Sequence, residues 1–139
     1  MFRTKDTEEI NRFSKNTLLE HLAISFTEIG DDFVCASMPV NPTTHQPMGF
    51  LHGGASLALA ESVGSVASFL LIDPDKYHVF GIEINANHIK SKKEGYVKAT
   101  ARPIHIGNRT HIWDISIKDE KEELISIIRL TNMIVDARK

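Results

Sequence analysis

Hydrophobic and polar positions divide the chain into three stretches of different character. In the first, Asp6 to Leu19, the residues Ile10, Phe13 and the pair Thr17-Leu18 recur at helical spacing among charged neighbours. This predicts a short amphipathic helix within residues 1–20, with Thr7 as its cap ahead of Glu8 and Glu9. Leu22–Ile29 and Phe33–Val40 then read as two strands joined by a turn at Gly30-Asp31-Asp32. Pro39 and Pro42 end that pairing and open a loop from Asn41 to Leu51.

The second stretch, residues 53–71, lacks Pro, is rich in Ala, Leu and Ser, and is apolar nearly all the way round. It predicts a helix buried on most of its faces. In the third, four strands follow, over Val79–Ile89, Gly95–His105, Thr110–Asp119 and Leu124–Val135, with turn signals between them. Alternation is clearest from His111 to Lys118, where Trp113, Ile115 and Ile117 oppose Ile112, Asp114, Ser116 and Lys118. Two strands, a buried helix and four strands predict an α+β fold in which one curved antiparallel sheet wraps around the helix.

At 139 residues and 42% hydrophobic content the chain has the size of one domain with a real core. Sixteen Lys and Arg against eighteen Asp and Glu leave a net charge of −2. No global basic excess holds nucleic acid or an anionic membrane, so neither is an expected partner. The single cysteine, Cys35, excludes an internal disulfide framework and a Cys-rich zinc site, and is expected to pack as a small apolar residue. The N-terminus is polar, and the run from Gly53 to Ile72 is interrupted by Glu61, short of the ~20 apolar residues of a membrane span. A soluble cytoplasmic protein is expected. None of the seven histidines stands at a metal-binding spacing, so no metal is expected. Phosphate-loop, dinucleotide and nucleophile-elbow signatures are absent from the sequence.

Glu61 is the anomaly. An ionised carboxylate among Leu57, Ala58, Ala60 and Val63 is costly to bury, and a carboxylate taken out of water is a stronger base. Gly64 and Ser65 beside it make a small polar patch with room for a ligand. At the head of the same helix, Gln46 and His52 flank Gly53 and Gly54, where backbone N–H groups are free and the helix dipole is positive. Such an N-terminus stabilises a developing oxyanion. Lys90, Lys92, Lys93 and Arg109 sit at strand ends, where they are either solvated or hold phosphates.

The set Gln46, His52-Gly53-Gly54, Glu61 and Ser65, followed by Gly81-Ile-Glu-Ile-Asn-Ala-Asn-His88, resembles the hotdog-fold acyl-CoA thioesterases over nearly the whole chain. Within them it is most similar to the subgroup of 4-hydroxybenzoyl-CoA and phenylacetyl-CoA thioesterases. In motif it stands nearest the 1,4-dihydroxy-2-naphthoyl-CoA hydrolases of menaquinone synthesis and their siderophore-proofreading paralogues. The resemblance implies a homodimer with sites at its interface, commonly paired again into a tetramer. It implies Glu61 as nucleophile or general base, Gly53 as the N–H that polarises the thioester carbonyl, Gln46 and His52 as orienting groups, and Ser65 as holder of the attacking water or of Glu61. It further implies that Gly81, His88, Ile89, Lys90 and Ser91, with His105, Gly107, Asn108 and Arg109, bind the pantetheine and phosphates of CoA. Lys90 and Asn108 stand where close relatives tend to have Arg and Ser, and a Lys lacks the bidentate geometry of Arg.

No cofactor is implied beyond the CoA of the substrate. Val66, Phe69 and Leu70 are expected to line the acyl pocket. Two alternatives stay open at this point: a proofreading thioesterase acting on acyl groups held by a carrier protein, and an acyl-CoA-binding module without turnover. Hydratases of the same fold are disfavoured by the lack of an Asp-x4-His pattern at the helix start.

Overall fold

The computed structural model describes residues 1–138. In chain order the elements are α1 (Thr7–Phe13), α2 (Leu18–His21), β1 (Ser25–Ile29), β2 (Val34–Pro39), α3 (Gly53–Phe69), β3 (Tyr77–His88), β4 (Tyr96–Ile106), β5 (Thr110–Asp119) and β6 (Leu124–Asp136). The six strands form one sheet in the order β1-β2-β4-β5-β6-β3, and every pairing is antiparallel. The sheet packs its inward residues on α3, as the α+β expectation required. Alternation places Val97, Ala99 and Ala101 of β4, Trp113, Ile115 and Ile117 of β5, and Ile128 and Leu130 of β6 against Leu59, Val63 and Ala67 of α3, all buried. Cys35 is buried as expected.

Several expectations change. The N-terminal stretch is two helices, because Asp6, not Thr7, caps α1 by accepting from the Glu8 and Glu9 N–H groups. The chain then breaks at 14–17, with Asn16 at φ 62°, and Thr17 caps α2. The strand expected from Leu22 begins at Ser25, because Ala23 is left-handed at φ 55° and Ile24 N–H bonds back to Leu19. The central helix ends at Phe69 rather than 71. Arg3 N–H donates to the Leu70 carbonyl at 2.9 Å and its guanidinium to that of Phe69 at 2.9 Å, satisfying late carbonyls with a cation at the negative end of the dipole.

The central helix is not buried all round. Leu57, Ala58, Glu61, Ser62, Ser65, Val66 and Phe69 form a half-buried stripe along it. The two sheet edges also differ. On β1, Asn11 of α1 mimics a strand, its amide donating to the Phe26 carbonyl and its carbonyl accepting the Phe26 N–H at 2.8 Å. The other edge, β3, is twelve residues long and mostly exposed, including Phe80 and Ile82.

Gly64 lets α3 approach the sheet: a β-carbon there would stand 2.5 Å from Leu130 Cδ2 and 3.2 Å from Ile115 Cδ1. Gly64→Val is therefore expected to lower stability by about 1–3 kcal/mol through overpacking, read as the shift in urea midpoint at unchanged slope.

Candidate active site

The loop before α3 is folded on itself and tied to the β3–β4 connection. Gln46 N–H donates to the Phe50 carbonyl at 2.8 Å, Leu51 N–H to Lys92 at 2.7 Å, and His45 Nε2 pairs with the Lys93 carbonyl at 2.8 Å. The Gln46 side-chain oxygen accepts the Met48 N–H, so its amide NH2 is left for other acceptors.

His52 then caps the helix. Its carbonyl accepts from Ala55 at 3.0 Å and Ser56 at 3.2 Å, and its Nδ1 accepts the Gly54 N–H at 2.7 Å. An imidazole whose Nδ1 accepts carries its proton on Nε2. These bonds use three of the four N–H groups at the helix start and leave Gly53 N–H without a partner among the described residues. The sequence presents Gly53 and Gly54 as equivalent donors, whereas the structure singles out Gly53.

His88 of β3 lies directly over Gly53. A β-carbon on Gly53 would stand 2.8 Å from His88 Nε2, and His88 Nδ1 meets Ser126 Oγ at 2.8 Å. Gln46, Gly53, His88, Ile89, Lys90 and Ser91 thus line one cleft of about 410 Å³, with Met48, Phe50 and Ser56 completing its wall.

Glu61 and Ser65 are not in that cleft. At a rise of roughly 1.5 Å per residue, Glu61 lies about 12 Å along α3 from Gly53. Its carboxylate projects over Gly81 of β3, where a β-carbon would stand 2.3 Å from Glu61 Oε2. Gly81, expected with His88–Ser91, is instead the glycine that gives Glu61 its seat. Glu61 makes no hydrogen bond or ion pair among the described residues, and it is half-buried. Ser65, Val66 and Phe69 face a second cleft of about 610 Å³ with Tyr77, Val79 and Phe80. Leu70, expected beside them, is fully buried in the core.

The turn carrying His105, Gly107, Asn108 and Arg109 is closed by Gly107 N–H donating to Thr110 at 2.9 Å and is held to β6 by Ile134 N–H donating to the Arg109 carbonyl at 2.8 Å. Ile89 binds β6 at Ile125. At ~3.3 Å per strand residue, Ile125 and Ile134 lie about 30 Å apart. Lys90 and Arg109 therefore occupy opposite ends of the sheet. The basic cluster is also partly spent: Lys90 pairs with Glu123 and Lys92 with Glu120. Lys92, and then the Tyr96 N–H, hold the Glu120 carboxyl below the usual glutamate range.

A buried polar cluster behind Glu61 went unread in the sequence. Ser68 Oγ accepts from Trp113 Nε1 at 2.8 Å and from Asn132 Nδ2 at 2.9 Å, which fills both lone pairs. Its own proton is then the one shared with His111 Nδ1 at 2.9 Å, so His111 is neutral with its proton on Nε2. Asn132 Nδ2 also donates to the Gly64 carbonyl, which fixes the amide orientation. The Asn132 Oδ1 is buried without a partner among the described residues, 3.6 Å from where a Gly81 β-carbon would stand. The readable signal was strand parity: Ser126 and Asn132 share the inward face of β6 with Ile128 and Leu130.

A family model described as the thioesterase superfamily matches residues 48–126. The chain belongs to that superfamily. It is 46% identical over 128 residues to 1,4-dihydroxy-2-naphthoyl-CoA hydrolase of Escherichia coli (strain K12), covering 92% of this chain and 93% of that one. It is 43% identical to proofreading thioesterase EntH of Cronobacter turicensis, with the same two coverages of 92% and 93%. Among solved structures, a glutamine-to-alanine mutant of thioesterase PA1618 from Pseudomonas aeruginosa superposes with TM-score 0.96 at 44% identity, covering 98% of this chain and 99% of that one. The six-stranded sheet and main helix are those of a hotdog thioesterase, and the chain is an enzyme of that class.

Burial, ahead of the weaker repulsion from His105, holds the His111 imidazole below the ordinary histidine value of 6.5, against the Gly107 backbone bond that favours the charged form. Because the folded value lies below the unfolded one, the neutral ring's contribution is complete above that pH and is lost as pH falls through 6.5 toward the folded value. Chemical denaturation of this thioesterase between pH 8 and 5 is expected to show that decline, and His111→Gln to flatten it.

Proposed function

We propose that this thioesterase hydrolyses a small aromatic acyl-CoA, of 1,4-dihydroxy-2-naphthoyl or benzoyl type, to the free acid and CoA, in the cytoplasm and at sites shared by two copies of the chain. The observation that carries the proposal is the division of the candidate residues. Gly53 and Gln46 line one cleft, with His52 capping the helix beside it; Ser65 lines another, and Glu61, one turn before Ser65, lies about 12 Å from Gly53 along the same rigid helix. A thioester carbonyl polarised at Gly53 is out of reach of Glu61 of the same chain.

A two-fold pairing of the open β3 edges resolves this. Centred on Ile82 and Glu83, midway along Tyr77–His88, it sets the His88 end of one copy against the Tyr77 end of the other. The Gly53 cleft of one protomer then meets Glu61 and the adjoining Ser65 cleft of its partner. The same operation carries Lys90 toward the His105–Arg109 turn across the interface, where both face the CoA phosphates. Phe80 and Met133, paired across β3 and β6 and exposed on the outer sheet face, support further pairing of dimers into a tetramer.

In this arrangement Gly53 N–H and the Gln46 amide stabilise charge on the thioester oxygen, while Glu61 attacks the carbonyl or takes the proton of the attacking water. The acyl–sulfur bond breaks, the CoA thiolate takes a proton, and water supplies the oxygen of the released acid. No metal or redox group takes part. The likeness to a 1,4-dihydroxy-2-naphthoyl-CoA hydrolase supports the aromatic substrate and a place in menaquinone synthesis.

One observation favours a second reading. With Lys90 and Lys92 engaged by Glu123 and Glu120, the grip on nucleotide phosphates is weak, which suits an acyl group on a carrier protein's phosphopantetheine. The likeness to a proofreading thioesterase supports it.

Purified protein is to be assayed with benzoyl-, 4-hydroxybenzoyl-, phenylacetyl-, hexanoyl- and 1,4-dihydroxy-2-naphthoyl-CoA by trapping released thiol. The expected result is turnover of an aromatic member, reduced by about 10²–10⁴-fold in Glu61→Ala with CoA binding retained. Turnover near wild type in Glu61→Ala contradicts the role of Glu61, and hydrolysis confined to acyl-carrier protein selects the second reading.

A further inference from the structure

Beside the Ser65 cleft lies a second apolar hollow of about 290 Å³, between α1, α2 and the C-terminal half of α3, walled by Ile10, Phe13 and Leu19. Val66 and Phe69 are walls of both spaces. Their side chains are the partition between them.

The Phe69 ring is held in place from two sides. The Arg3 guanidinium lies over its face, 4.9 Å from the ring centroid, while also donating to the Phe69 carbonyl. Phe13 meets it edge-on with centroids 6.3 Å apart. A cation on the face and an aromatic edge are the favoured approaches to a phenyl ring, so the partition is fixed rather than loose.

We propose that Phe69 is a specificity-determining gate: its ring ends the acyl cleft, and the hollow behind it is a latent extension that takes the aliphatic tail of a longer acyl-CoA when the ring is removed. The inference rests on the proposed reading that the Ser65 cleft, beside Glu61, receives the acyl group. The occupant follows from continuity, because the hollow shares its wall with that cleft one helical turn beyond Ser65. It follows also from chemistry, because the walls shared with the cleft, Val66 and Phe69, and three of those behind the ring, Ile10, Phe13 and Leu19, are hydrocarbon. An unbranched chain fits such a passage, whereas a charged or branched group does not. With the ring in place the cleft stops at a flat aromatic wall, which suits a planar aryl group.

The test compares kcat/KM for benzoyl-, hexanoyl-, decanoyl- and tetradecanoyl-CoA in wild type, Phe69→Ala, Phe13→Ala and the double variant, together with the inhibition constant of free CoA. Phe69→Ala is expected to raise the decanoyl-to-hexanoyl ratio by about tenfold or more, the scale at which apolar pockets discriminate chain length, and to lower benzoyl turnover. Free CoA does not reach the gate, so its inhibition constant stays unchanged. Phe13→Ala alone leaves the ratio as it was, since the ring still closes the passage, and widens the range further in the double variant. Should Phe69→Ala not fold, Phe69→Leu serves, with a smaller shift of the same sign. An unchanged length ratio in a folded Phe69 variant overturns the gate, as does an equal loss on all substrates. If wild type turns over the panel and Glu61→Ala does not, such a failure belongs to the gate alone; if wild type turns over none, the underlying reading falls and the gate with it.

Discussion

An α-helix is a rod, and this rod carries two of the proposed catalytic groups at positions that cannot meet. Three of the four N–H groups at the start of α3 are taken by His52, which leaves Gly53 as the donor, and Glu61 lies two turns further on, about 12 Å away. Bending the helix to bring them together would break its hydrogen bonds and tear Leu59 and Val63 from the sheet. The remaining unusual features of the fold sit around that spacing. The half-buried stripe on α3, the twelve-residue open edge of β3 and the location of the two clefts at opposite ends of that edge all suit the proposed second copy in the same place.

Glycines set the close contacts that make each half of the site possible. Gly53 admits the His88 ring to the helix start, and Gly81 admits the Glu61 carboxylate to the sheet. In each case a methyl group would collide with that side chain. Beneath Glu61, a single hydroxyl, Ser68 Oγ, serves Trp113, Asn132 and His111 together and ties the last turn of α3 to β5 and β6. That cluster fixes the inclination of the helix on the sheet, and through the Gly64 carbonyl it reaches the backbone beside Glu61. A network whose members are nearly all satisfied rigidifies a core, and here it stands behind Glu61, the proposed nucleophile or base.

The strands and the central helix were legible because their periodicities are strong: β5 alternates for its whole length, and α3 lacks any breaker. The N-terminal helix break was not, because a left-handed Asn16 leaves no apolar signal and capping by Asp6 competes with Thr7 one residue on. The candidate site was legible only as a set of residue types, a lone acid in an apolar helix and a glycine pair at its start. Its geometry was not. Sequence spacing tells how far apart Gly53 and Glu61 stand on one helix, but the location of Gly81 under Glu61, and of Arg109 far from Lys90, depends on strand register and bulges set by tertiary pairing. The depth of burial of α3 was overread for the same reason: an apolar stripe left half-exposed looks in the sequence like one facing the core.

The central claim, that each site takes its oxyanion donor from one chain and its carboxylate from another, is tested most directly by complementation. Gln46→Ala and Glu61→Ala chains, each nearly inactive alone, are co-expressed with different tags and the mixed oligomer is purified. In a shared site, pairing the two leaves one of the two sites with both lesions and the other with none, so thiol release from the best acyl-CoA is expected to recover to about half the wild-type rate per mixed dimer. A mixed dimer as inactive as either parent contradicts the claim and places the whole of the chemistry within one chain.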